Sequence, residues 1–212
     1  AEYNQKNNRY YNRWLLQRAE PLKLDFYNSF EAPDATQIFY VPTISYNAYD
    51  KVLLGVLLTN ASVLVQKPSE YQLNPNFSTG TGSLTGSASL IQNYTTPKSH
   101  FFRQISTGIF TRYYHYDRNL SFFRLSPSLT LRIRKPYPKS PLIQKIRLRG
   151  VRVSRELPDE TSLEERLDLA SYGVFNASYK LENTNIFKPT IFRFDFEYAD
   201  KFSKLYTELD QR

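Results

Sequence analysis

Cysteine is absent from this chain, which excludes a disulfide scaffold, a thiolate metal site and a thiol nucleophile. Methionine is absent too, even at position 1, so the chain is expected to begin inside a longer product with no signal peptide to read. Glycine is scarce, with 7 in 212 residues. Histidine occurs only as His100 and His115, with no His-Glu-x-x-His spacing, so neither a metal centre nor a cofactor is expected. Both histidines read as strand-end residues of an aromatic belt. No segment approaches the roughly 20 apolar residues of a membrane-spanning helix. The longest apolar run, Val52 to Leu58, has the length of a strand. A chain of this kind crosses a bilayer only as strands, because helices and closed barrels alone satisfy every backbone group in lipid.

What is present is alternation. From Ser121 to Ile133, Phe123, Leu125, Leu129, Leu131 and Ile133 fall on one parity, and Arg124, Ser126, Ser128, Thr130 and Arg132 on the other. Successive strand side chains point to opposite faces, so one face is oily and the other wet and cationic. The pattern recurs in Gln37–Asn47, Lys51–Asn60, Glu70–Ser78, Ser83–Tyr94, His100–Tyr116, Gln144–Arg155, Ser171–Asn183 and Thr190–Tyr198. Phe202–Gln211 begins a further strand that is expected to be cut short. In Gln144–Arg155 the alternation slips at Val151 and Val153, which predicts a bulge near Gly150. Thr190–Tyr198 is the most regular: Phe192, Phe194, Phe196 and Tyr198 stand against Arg193, Asp195 and Glu197.

Residues 1–36, polar and irregular around Trp14-Leu15-Leu16, read as a lead-in segment, and residues 37–212 as the strands of a barrel. Leu157 to Leu169 breaks the rhythm, and its Thr161-x-x-Glu164 capping-box spacing predicts a loop carrying a short helix. Gly80-Thr81-Gly82 lacks the Gly-Lys-Ser/Thr ending of a phosphate loop and reads as a hairpin. No serine sits in a nucleophile elbow. Five Asn-x-Ser/Thr sequons, at Asn60, Asn76, Asn93, Asn119 and Asn176, are of the kind chance yields in an Asn- and Ser-rich chain.

A soluble sandwich or small soluble barrel also alternates. Three features favour lipid. The strands run about nine to fifteen residues, against five to six in soluble sheets and nine to eleven in membrane ones. Small polar side chains fill one parity, as in a wet lumen. Tyr46, Tyr49, Tyr113, Tyr114, Tyr116 and Tyr198 gather at strand ends, like an interfacial girdle. The fold class expected is all-β: an antiparallel transmembrane outer-membrane β-barrel, incomplete at about ten strands. Leu125, Leu129, Leu131, Ile133, Phe192, Phe194 and Phe196 are then lipid-facing, while Arg124, Arg132, Arg134, Lys145, Arg147 and Arg149 form a basic lumen wall.

The net charge is +8, and between Arg132 and Arg155 no Asp or Glu interrupts the basic residues. Such a stripe could attract an anion or contact lipopolysaccharide. The plainer reading pairs it with Asp195, Glu197 or loop carboxylates. Nucleic acid is not expected, because the interleaved residues are aliphatic and point away from the cations.

Several segments carry a resemblance: Glu20-Pro21-Leu22-Lys23-Leu24, Thr36-Gln37-Ile38-Phe39-Tyr40-Val41-Pro42, Tyr46-Asn47-Ala48-Tyr49-Asp50-Lys51-Val52-Leu53-Leu54-Gly55, Phe123-Arg124-Leu125-Ser126-Pro127, Gln144-Lys145-Ile146-Arg147-Leu148-Arg149 and Tyr198-Ala199-Asp200-Lys201-Phe202-Ser203-Lys204-Leu205. From about residue 18 onward, in pieces, the chain resembles the C-terminal region of large Bacteroidota proteins whose N-terminal part is a gluzincin, a zinc aminopeptidase-like domain. The resemblance implies an outer-membrane barrel of a Gram-negative bacterium, with further strands beyond the point matching Arg212. It carries over no catalytic residue, since the family's zinc ligands and general-base Glu belong to a domain this chain lacks. Residues 1–17 match nothing in the family. The function expected is a membrane anchor or scaffold with no chemistry of its own. A pore or assembly component with a basic lumen, and a soluble all-β binding module, are the alternatives.

Overall fold

A computed structural model describes residues 22–27, 36–61, 67–97, 101–117, 120–158, 171–200 and 202–211. They form one sheet whose spatial order is the order of the chain. The strands are β1 (Leu22–Phe26), β2 (Thr36–Asn47), β3 (Lys51–Thr59), β4 (Ser69–Ser78), β5 (Leu84–Thr95), β6 (Phe102–Asp117), β7 (Leu120–Ile133), β8 (Leu142–Arg155), β9 (Ser171–Asn183), β10 (Thr190–Ala199) and β11 (Phe202–Gln211). The ten expected strands are all there as β2 to β11, each within two residues of its predicted bounds at either end. The eleventh is a departure: Leu22–Phe26, expected to be irregular, pairs parallel to β2, while every later pair is antiparallel. The edge strands β1 and β11 do not pair with each other, so the sheet is open. Trp14-Leu15-Leu16, His100, Asn119 and the capping-box segment lie outside the described residues.

Registers carry each face from strand to strand. Leu131 stands opposite Ile146, Ile146 opposite Tyr179, and Tyr179 opposite Phe194. The same parity continues through Leu129, Leu148, Ala177 and Phe196. The oily halves of β7 and β10, read separately in the sequence, are thus one continuous surface. The polar halves are likewise one surface.

The expected bulge at Gly150 is not formed. β8 pairs with β9 without a shift from Leu142↔Asn183 to Ser154↔Ser171. Val151 and Val153 therefore lie on the polar face, and Gly150 and Arg152 on the oily one. The pairing itself accounts for this: β8 is held on both sides, and a one-residue slip would turn over all that follows. Gly150 also lies beneath the Pro127 ring, where a Cβ would meet Pro127 Cγ at 3.4 Å. True register shifts occur instead in β6, between Phe102 and Gln104 and between His115 and Asp117.

Burial is inverted relative to a water-soluble sheet. The buried apolar residues among those described are Phe39, Leu53, Val153 and Ala199. Against them stand Gln37, Thr59, Asn76, Ser78, Thr85, Gln104 and Ser126 within the strands. By register, every one of these lies on the polar face, whereas His115 and Ser121, also buried, fall on the other parity at the β6–β7 end. Ile44, Leu54, Leu73, Leu84, Ile109, Phe123, Phe194, Leu205 and Leu209 are exposed on the other. A sheet one layer thick buries one face only by curling toward it, so the polar face is concave. Gly55 helps the curl: Asn76 lies across it, 2.1 Å from where a Cβ would be, and the Thr43 hydroxyl donates over it to Asn74 and Asn76.

Candidate functional site

The concave face carries the charge. One row crosses four strands: Arg132 opposite Lys145, Lys145 opposite Lys180, Lys180 opposite Arg193. Like charges set directly opposite in a sheet are destabilising. Acids relieve the row at its far end. Lys180 Nζ lies 2.7 Å from Glu182, and Arg193 lies 3.3 Å from Glu208. Arg132 and Lys145 make no side-chain hydrogen bond or ion pair to any described residue. The expected pairing of the basic wall with Asp195 or Glu197 is not formed among the described residues: both share the concave face but stand opposite Ser178 and Asn176.

The other wall residues are handled differently. Arg147 and Arg149 face Ser178 and Asn176, and Arg149 Nε is buried with no hydrogen-bond partner. Arg124 donates to Ser126 Oγ at 3.1 Å. Arg134 leaves the wall, because its guanidinium caps the β5–β6 turn on the carbonyls of Thr96, Pro97 and Phe102. Arg112, not anticipated from the sequence, joins the face opposite Arg124 and packs against the rings of Phe110 and Tyr114. At one end of the row a cavity of about 410 Å³ opens, lined by Arg103, Arg132, Lys135, Lys145, Lys180 and Glu182 with Ile133, Ile143 and Gln144.

Of the six tyrosines expected to form a girdle, Tyr46, Tyr113 and Tyr198 lie exposed on the oily face at one end of the sheet, with Tyr49 exposed in the turn beside them. Tyr114 is on the concave side, under Arg112, and the Tyr116 hydroxyl donates to the Glu156 carbonyl.

That same end holds a cluster the sequence reading missed. Asp50, in the β2–β3 turn, is fully buried, and its carboxylate meets His115 Nδ1 at 2.7 Å. A carboxylate only accepts, so Nδ1 carries the proton. The His115 amide also donates to Asp50, and the Asn47 amide donates to the His115 carbonyl. β5 pairs with β6 only as far as Gly86↔Tyr113, so these two side chains replace the missing strand neighbour. Burial by itself raises the Asp50 carboxyl, but hydrogen bonds from the His115 ring, Ser78 and the His115 amide outweigh it and hold it below the usual carboxylate range. On the other side of β6, Glu156 accepts from both the amide and the hydroxyl of Ser121, which lowers its carboxyl as well. Gly80-Thr81-Gly82 is the expected hairpin turn, with the Thr81 hydroxyl 2.7 Å from both Ser78 Oγ and Ser83 Oγ and Gly82 at a φ of 66°.

Among the described residues no three His, Asp or Glu side chains group as metal ligands. No helix there is long and apolar enough to cross a membrane, a test that does not bear on barrels. No protein-family model, curated protein or solved structure matches the chain.

Proposed function

We propose that this chain is a lipid-embedded wall of an outer-membrane β-barrel in a Gram-negative bacterium, serving as the membrane anchor or scaffold of a larger, zinc aminopeptidase-like protein. The inverted burial carries the reading: the side chains a soluble protein hides are on the open convex face, and small polar ones are packed inside. Exposed apolar area on this scale marks contact with lipid or a partner. The strands, 9 to 16 residues long in β2 to β11, suit a tilted bilayer crossing. Further strands, from the same or another polypeptide, would complete the barrel beside β11. Lipid, including lipopolysaccharide at the strand ends, would cover the convex face.

The test is extraction. The expressed chain should stay with outer membranes through an alkaline wash and leave only with detergent. Release by buffer alone would favour the soluble binding module and end the membrane reading. Residues flanking this segment in its gene test the peptidase link separately: without His-Glu-x-x-His upstream, that link fails while the barrel stands. The cation row favours one second reading, a pore or assembly component with a basic lumen.

A further inference from the structure

We infer that the cavity at the β7–β8 end of the concave face is a binding site for a soluble anion with two or more negative charges, of the phosphate or pyrophosphate ester class. Its size falls within the range of small-ligand sites. Five cations line it, Arg103, Arg132, Lys135, Lys145 and Lys180, against one carboxylate, Glu182. That carboxylate is already held by Lys180, and Lys135 donates to the Ser140 carbonyl. Arg103, Arg132 and Lys145 remain, with no side-chain hydrogen bond or ion pair to any described residue, although Glu182 is near enough to attract Lys145.

Two separate features bring these three together. Register places Arg132 directly opposite Lys145. Strict alternation from Ile105 would put Arg103 on the convex face, yet it lines the cavity. The register shift between Phe102 and Gln104 re-aims it, as bulges do. Two guanidinium forks and an ammonium around one space match the oxygens of a phosphate group, with arginine supplying paired donors and lysine a point charge. The inference goes beyond the anchor role and needs only a concave face open to water, not the bilayer.

Titration calorimetry with sodium pyrophosphate tests it, using the full chain in a neutral detergent. Saturable binding tighter than about 1 mM is expected. Lys145→Gln and Arg132→Gln should each weaken it roughly tenfold, and Lys145→Arg should retain most of it. Arg152→Gln, which removes the same charge from the convex face, should leave it within about twofold. Equal losses in Arg152→Gln and Lys145→Gln would reduce the effect to net charge and overturn the site. Absence of binding by the unaltered chain overturns it as well, and would mean that carboxylates from elsewhere neutralise the row. Displacement of pyrophosphate by phosphatidylglycerol in mixed micelles would assign the cavity to a lipid headgroup and refute a soluble ligand. None of these outcomes depends on the extraction test.

Discussion

Asp50 and His115, 65 positions apart, meet at 2.7 Å and tie the β2–β3 turn to the overhanging end of β6. The contact skips β4 and β5, so it fixes the sheet's curvature in a way that neighbour pairing cannot. The carboxylate is fully buried and the ring nearly so, which makes the pair costly to break from one side.

Asp50→Ala removes the acceptor of the His115 ring and amide together. Hydrogen bonds to a charged group contribute about 1.5–3 kcal/mol each, so losing the two is expected to cost about 3–6 kcal/mol. Urea unfolding in detergent measures it. Asp50→Asn, which keeps one acceptor oxygen, should fall between the two. An unchanged midpoint in Asp50→Ala would remove the pair from any structural role.

Acid should release the same clamp. The folded-state Asp50 carboxyl lies below its unfolded value of about 3.9, so its stabilisation is complete above that pH and is lost as pH falls through the folded value. Protection of the His115 amide proton, taken relative to its intrinsic exchange rate at each pH, should therefore fall below about pH 4 in the unaltered chain. Asp50→Asn should show no such step. Glu156 on Ser121 has the same sign and adds to the loss.

The two faces differ in what they tolerate. Phe194→Arg puts a cation on the convex face halfway along β10, a substitution that costs about 2–4 kcal/mol at a bilayer midplane. Ser89→Arg points into the concave side, opposite Gln72 and Phe110. Heat-modifiable migration of the folded chain on a gel should be lost in the first and kept in the second. Equal behaviour would refute the assignment of lipid to the convex face.

Gly55→Ala should impair folding although it lies on a regular strand. Its Cβ would come within 2.1 Å of Asn76 Oδ1 and 2.5 Å of the Pro75 carbonyl oxygen, and the latter is backbone that cannot swing aside. A cost of about 1–3 kcal/mol is the usual scale of overpacking. Refolding yield into detergent reports it, and Gly82→Ala, with open space around it but a φ of 66°, separates backbone strain from crowding.

Alternation is a local property with a period of two residues, so the sequence by itself determined where β2 to β11 run and which residues of a strand share a face. Phe192, Phe194 and Phe196 needed no partner to be placed together. The sequence could not say what lies opposite what, because register is a relation between strands. Tertiary structure decided that Val151 and Val153 turn inward and Arg152 outward, since β8 pairs unbroken with β9. It decided that Arg132, Lys145, Lys180 and Arg193 form one row, although they come from four strands. It also decided that Asp50 meets His115. Their contact spans a gap left where β5 stops short of β6, and neither residue's neighbourhood in the chain records where another strand ends.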